Sequence, residues 1–179
     1  MWTGSAGWAP NDAARRWLLD DIWPAISARL PDAHLHVFAG GTEQGAGRLV
    51  TWRGAPRESG EAFMAGGILL IPMRAASGVR MRVLEAWARG VPVIASPAAI
   101  AGLDAQDGRD VLIAADGRAF AEAAARLAGD APLRARLAGE GRATLARRHD
   151  PRRIAGATLE VYRQAIERRR ARTPEGSGK

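Results

Sequence analysis

Five short, largely apolar runs constrain this 179-residue chain more than any other feature. His34–Ala39 ends at Gly40-Gly41, Leu49–Trp52 is followed by Gly54, Ile68–Ile71 ends at Pro72, Val93–Ala95 at Ser96, and Val111–Ile113 precedes Asp116-Gly117. Strands with one wet face alternate apolar and polar residues. Runs without that alternation suit strands buried on both faces, as in a parallel sheet covered by helices. Helix-period segments lie between them. Asn11 is placed to cap a helix whose apolar positions Ala14, Trp17, Leu18 and Ile22 follow the 3.6 period, and Pro24 is expected to end or kink it. Further helices are expected over residues 79–89, 117–129, 131–148 and 152–170, with Pro132 and Pro151 at tolerant first-turn positions. A helical segment between the second and third runs completes the alternation. The order predicts an α/β fold: a doubly wound parallel sheet with extra C-terminal helices. One domain over residues 1–170 and a disordered tail over 171–179, rich in Gly and Ser, are expected.

Met1-Trp2-Thr3 before Gly4-Ser5 reads as the end of a strand with almost nothing ahead of it. The expectation is a chain whose N-terminal half is missing or supplied by another polypeptide. The chain has no cysteine, which removes disulfides, Cys-ligated zinc and thiol nucleophiles, and its three histidines show no HExxH spacing. No apolar stretch nears the roughly 20 residues of a bilayer span, and the N-terminus lacks signal-peptide order, so a cytoplasmic location is expected. The net charge of +7 is unevenly placed. Arg126 to Arg172 holds 13 arginines against five acids, whereas residues 1–125 hold 12 against 13. That C-terminal excess suits a solvated helical surface or an anionic membrane surface, peripheral to the inner face. Nucleic acid is not expected, because only Tyr162 interrupts the basic stretch and stacking platforms need interleaved aromatics.

Chemistry is concentrated in Pro72–Ser96, PMRAASGVRMRVLEAWARGVPVIAS. A buried strand leads into the small residues Ala75-Ala76-Ser77-Gly78, then a helix, Gly90 and a second strand. Small residues let a ligand approach the backbone, and a helix start offers unpaired N–H groups to an anion, which suits phosphate. Glu85 lies on an otherwise apolar helix, where its carboxylate must accept from ligand hydroxyls or find a protein partner. The stretch contains neither GxGxxG nor GK[ST].

This region resembles the donor-binding segment of GT-B fold, retaining group 1 glycosyltransferases. Their pattern of strand, Pro, Gly-containing loop and (K/R)-x-x-E-A-x-A-x-G-x-P-V-(I/V) is matched by Arg82, Glu85, Ala86, Ala88, Gly90, Pro92, Val93 and Ile94. Thr3–Asn11, Trp23-Pro24, Pro31-Asp32-Ala33, Phe38-Ala39-Gly40, Gly108–Leu112, Phe120-Ala121 and Arg134–Leu137 follow in the family's order. The likeness covers about residues 2–165 and implies a Rossmann-like C-terminal half of a GT-B enzyme.

The resemblance implies that Glu85 holds the ribose of a nucleoside-diphosphate sugar. The family's first glutamate is replaced by Ser77. Gly78 and Val79 match positions whose N–H groups meet the donor, Gly4 and Ser5 a loop facing the diphosphate, and Arg53-Gly54 a loop lining the base. Arg74, Arg80 or Arg82 would neutralise the diphosphate, and the sequence does not choose among them. The family needs no metal or cofactor. Acceptor positioning belongs to an N-terminal domain, so donor binding with little transfer is expected of this chain alone. Cell-surface polysaccharide or glycolipid assembly is the implied setting. A non-catalytic donor-binding subunit or remnant, and a basic membrane-surface domain, are the other expectations.

Overall fold

A computed structural model describes residues 1–5, 7–40, 49–75 and 80–172, with side chains described as far as 170. Two compact units are distinguished, Met1–Leu145 and Ala146–Lys179.

The first unit holds six parallel strands in two ladders. One runs β1 (Trp2–Thr3), β2 (Leu35–Phe38), β3 (Val50–Trp52), and the other β4 (Leu69–Ile71), β5 (Val93–Ala95), β6 (Leu112–Ile113). Registers pair Trp2 with Val37, Val37 with Trp52, Leu70 with Ile94, and Ile94 with Leu112. The ladders meet at Met1. Its carbonyl accepts from the Leu70 N–H at 2.9 Å, and its amino group donates to the Ile68 carbonyl at 2.8 Å. The strand sequence is therefore 3-2-1-4-5-6, the doubly wound order, reversing between β1 and β4. Right-handed crossovers running in opposite directions from that reversal put their helices on opposite faces.

The helical path from β1 to β2 is α1 (Ala9–Trp17), a π turn (Leu18–Ile22) and α2 (Trp23–Arg29). Two expectations are corrected here. Asn11 does not cap α1. The cap position is Trp8, and Asn11 lies buried inside the first turn. Nor does Pro24 end the helix: the π turn widens the path just before it, and Pro24 falls in the first turn of α2, where its missing N–H costs little. Trp17 donates from Nε1 to Asp21 across this segment at 2.9 Å. Helix α3 spans Met81–Arg89, shorter than the expected 79–89, and buries Val83, Ala86 and Trp87. Gly90, at φ +67°, closes it in the left-handed conformation that glycine tolerates. A 3-10 turn (Ser59–Ala62) stands where a helix was expected before β4, and a short α4 (Pro97–Ile100) is added after β5. Helix α5 (Gly117–Gly129) matches its expected bounds and packs on α2, with Asp116 accepting from the Ala119 N–H at 2.8 Å as its cap.

The core is one cluster in which Val37, Leu69, Ile94 and Leu112 of the sheet meet Leu18, Ile22, Phe120 and Leu127. Helix α6 (Ala131–Arg148) brings Gly141 against the Trp87 indole, whose Nε1 donates to the Asp110 carbonyl at 2.9 Å. The buried Asp110 carboxylate accepts from Gln106 N–H and Thr144 Oγ1, both at 2.8 Å. A buried charge supplied with donors in this way fastens the loop before β6 to α6.

In the second unit, α7 (Pro151–Arg172) begins at Asp150, whose Oδ1 accepts from the Arg152 N–H at 2.7 Å. No helix of the described residues is long and apolar enough to cross a membrane.

Two stability predictions follow from these contacts. A Cβ at Gly141 would overlap the Trp87 ring. Overpacking of that kind costs about 1–3 kcal/mol, against a gain of ~1 kcal/mol from helix propensity, so Gly141→Ala lowers the urea midpoint. Burial pushes the Met1 amino group down from 8.0 to about 5. The folded state thus binds fewer protons than the unfolded state across that window. Stability is full above pH 8 and is lost as pH falls towards 5, by up to about 1.4 kcal/mol per unit. Denaturation of the same chain with its N-terminus acetylated removes this slope.

Candidate functional site

In an open α/β sheet, ligands bind outside the carboxyl ends of the strands where the order reverses, because the loops there diverge and leave a crevice. Here that place lies between the loop after β1 and the loop after β4. Gly4 is fixed by its N–H to the Phe38 carbonyl at 3.0 Å, and it must be glycine because a Cβ would enter the Trp2 indole. Ser5 is exposed, and its carbonyl and Oγ both accept from Asn11 Nδ2, at 3.1 and 3.0 Å. Asn11 is only 2% exposed, and its Oδ1 has no partner among the described residues. A buried asparagine holding the Ser5 loop from within α1 carries no recognisable motif. Its sequence signal, a polar residue among apolar helix positions, is the one that also suits a cap.

On the other side, β4 is followed by buried Pro72 and Met73, after which Arg74 and Ala75 are exposed. Ser96, at the end of β5, sets this exit. Its Oγ accepts from the Met73 N–H at 2.9 Å and donates to the Met73 carbonyl, and its N–H reaches the Ile71 carbonyl at 3.1 Å. Read in the sequence only as a strand terminator, this serine is the clamp that aims the following loop. Ser77, Gly78 and Val79 lie outside the described residues.

Arginines and tryptophans meet along this edge. The Arg74 guanidinium stacks 4.4 Å from the Trp17 ring centroid, and that of Arg80 lies 5.8 Å from Trp8, which is 41% exposed. The Arg80–Trp8 contact joins the cap residue of α3 to the cap residue of α1. A cation over an aromatic face is held by the ring's quadrupole and keeps its charge. Arg82 is half-buried beside the apolar face of α3. Burial lowers its pKa from the ordinary arginine value, with Glu85 opposing and Arg80 adding to the shift. Glu85 is half-buried one turn into α3, close enough to Arg82 to be felt electrostatically. Arg53 and Gly54 follow β3, two strands away from β1 and so on the order of 10 Å to the side. Both are exposed, and Arg53 donates from Nε to His36 Nδ1 at 3.3 Å. The His36 ring stacks on His34 at 4.8 Å, and its pKa is lowered by burial, by Arg53 and by His34. The arrangement can hold an anion between the two loops and a neutral, hydroxyl-bearing group beside Glu85.

Two cavities, of about 290 and 620 Å³, open around Met64–Gly67. They lie at the amino ends of the strands, the opposite edge from the crevice. Among the described residues no three or more His, Asp or Glu side chains gather to hold a metal ion.

The sequence model of the family described as "Glycosyl transferases group 1" matches residues 1–130. No curated protein matches the sequence. Among solved structures, the C-terminal domain of a glycosyl transferase group 1 family protein (LpcC) from Francisella tularensis has a TM-score of 0.63 at 15% identity, covering 84% of this chain and 85% of that one. TarM has a TM-score of 0.69 at 14% identity, over 90% of this chain and 34% of its own. Sucrose-phosphate synthase from Thermosynechococcus elongatus has a TM-score of 0.72 at 20% identity, over 93% and 45%. The chain thus corresponds to most of an isolated C-terminal domain but to less than half of the two longer proteins. At these identities the structures speak for the fold alone, which is that of GT-B C-terminal domains, whereas the family match extends over most of the sequence. The chain belongs to the group 1 glycosyltransferases.

Proposed function

We propose that this chain binds a nucleoside-diphosphate sugar in the crevice between the β1 and β4 loops, as the donor half of a retaining sugar transfer. The observation that carries this reading is the pair of arginines set over tryptophans, Arg74 over Trp17 just after β4 and Arg80 over Trp8 just before α3. The diphosphate would lie between these guanidinium groups and the backbone of Gly4 and Ser5, with the N–H groups of Gly78 and Val79 as the further donors the family resemblance implies. Glu85, with Ser77 ahead of it, would accept from the ribose hydroxyls, and Arg53-Gly54 would border the base. Arg82, half-buried behind Glu85, would orient that carboxylate rather than touch phosphate.

The chemistry these residues supply is stabilisation of the departing nucleoside diphosphate. Fixed positive groups aimed at charge that grows in the transition state lower the barrier without reorganising. Nothing in this donor set calls for a metal, since arginine can take over charge neutralisation. Acceptor positioning falls to residues facing the crevice from another domain, and isolated donor binding without appreciable transfer is the reading for this chain alone. Assembly of cell-surface polysaccharide or glycolipid is the setting that suits such a transfer.

Thermal melting with UDP, GDP or ADP tests the reading. At a hundred times its dissociation constant the preferred nucleotide stabilises the fold by about 2.7 kcal/mol, which raises Tm by roughly 5–11 °C. Chelation leaves the shift unchanged. Arg74→Ala reduces the shift for every diphosphate and for inorganic pyrophosphate. Glu85→Gln reduces it for nucleotides and spares pyrophosphate. No shift with any of the three nucleotides at millimolar concentration overturns the proposal.

A further inference from the structure

On β2, Leu35 and Val37 enter the core, and the alternation of a strand turns His34 and His36 to the other face. Register sets His36 beside Thr51 of β3, so Thr51 and Arg53 share that face. These four side chains form a bracket that starts and ends at β3. Thr51 Oγ1 lies 2.6 Å from His34 Nε2. The His34 ring stacks on that of His36, with centroids 4.8 Å apart and planes 14° from parallel. Arg53 then donates from Nε to His36 Nδ1 at 3.3 Å. An arginine Nε can only donate, so His36 Nδ1 must carry a lone pair, and the ring is neutral with its proton on Nε2.

We propose that His36 is a positioning residue for donor binding: neutral, it holds the Arg53 side chain in one place beside Gly54, and protonated, it releases it. The proposal rests on the donor reading above, in which Arg53-Gly54 border the base. A free arginine side chain loses its rotamer freedom when a ligand packs against it, whereas one already held by His36 has lost that freedom beforehand. His34, tied to Thr51, keeps the imidazole from turning, so Nδ1 stays where Arg53 meets it. Protonation undoes the contact, because an imidazolium Nδ1 is a donor facing another donor, with one positive group against another. The groups acting on the ring are Arg53 from β3, His34 from β2 and the Met1 amino group ahead of β1, all of them basic. Burial first, and then these neighbours, lower the His36 pKa from the ordinary histidine value. The release therefore falls on the acid side of about pH 6.5.

Calorimetric titration of the full chain with UDP-, GDP- and ADP-glucose tests the proposal, because the esterified phosphates of these ligands do not titrate near neutral pH. Wild-type affinity for whichever sugar nucleotide binds should stay level from about pH 8 to about 6.5, then fall roughly threefold to tenfold. His36→Gln offers Arg53 an amide oxygen at every pH, so it should match the wild type at about pH 7.5 and lose the acid-side fall. His36→Ala should weaken binding at every pH. Arg53→Ala should weaken it at least as much, and adding His36→Ala to that variant should cost nothing further. If His36→Ala fails to fold, His36→Gln and Arg53→Ala carry the test, since the Arg53 side chain is exposed. Failure of all three ligands to bind the wild type overturns the donor reading and this proposal with it. Binding without an acid-side fall, a fall that His36→Gln retains, or losses that add in the double variant overturns the role of His36 alone.

Discussion

Two backbone hydrogen bonds at Met1, one to Leu70 and one to Ile68, hold the first unit's architecture together. Without them there are two separate three-stranded ladders. With them there is one sheet whose order turns back between β1 and β4. That reversal sends the β1–β2 and β4–β5 crossovers to opposite faces, leaving the loops at the strand ends free to diverge. The crevice follows from the topology, and whichever side chains follow β1 and β4 become its walls. The bonds also draw an amino group into the interior, where it is harder to protonate.

The walls that result are unusual in how they hold charge. Arginines at this edge lie over indole rings, Arg74 over Trp17 and Arg80 over Trp8. An aromatic face steadies a guanidinium and leaves its charge in place. Membership of the group 1 glycosyltransferases gives this positive edge its chemical context.

Much of this could be read in the sequence where local rules act alone. The apolar runs became β2 to β6 within a residue or two at their ends, and α5 and α6 begin and end at the expected positions, because proline, glycine and aspartate caps mark them. Reading failed where a residue's partner lies elsewhere in the chain. Asn11 suits a cap by its type, yet its amide is drawn to Ser5. Pro24 suits a stop, yet the packing of α2 on α5 keeps the helix going through a π turn. Ser96 suits a terminator, and its clamp on Met73 is seen only once β4 and β5 lie side by side. Of the expected donor residues, Gly4 and Ser5 follow β1, Arg74 follows β4, Arg80 precedes α3, and Arg53 and Gly54 follow β3 two strands from β1.

The sequence by itself determined the class of fold, the strand and helix inventory, and the family, because periodicity, caps and an ordered set of short motifs are properties of neighbouring residues. Tertiary structure alone decided the joining of the two ladders at Met1, the pairing of arginines with particular tryptophans, and the burial of Asn11, Ser96 and Asp110 with their hydrogen bonds. Each of these depends on which distant residue arrives alongside, and that is set by packing of the whole unit rather than by any local preference.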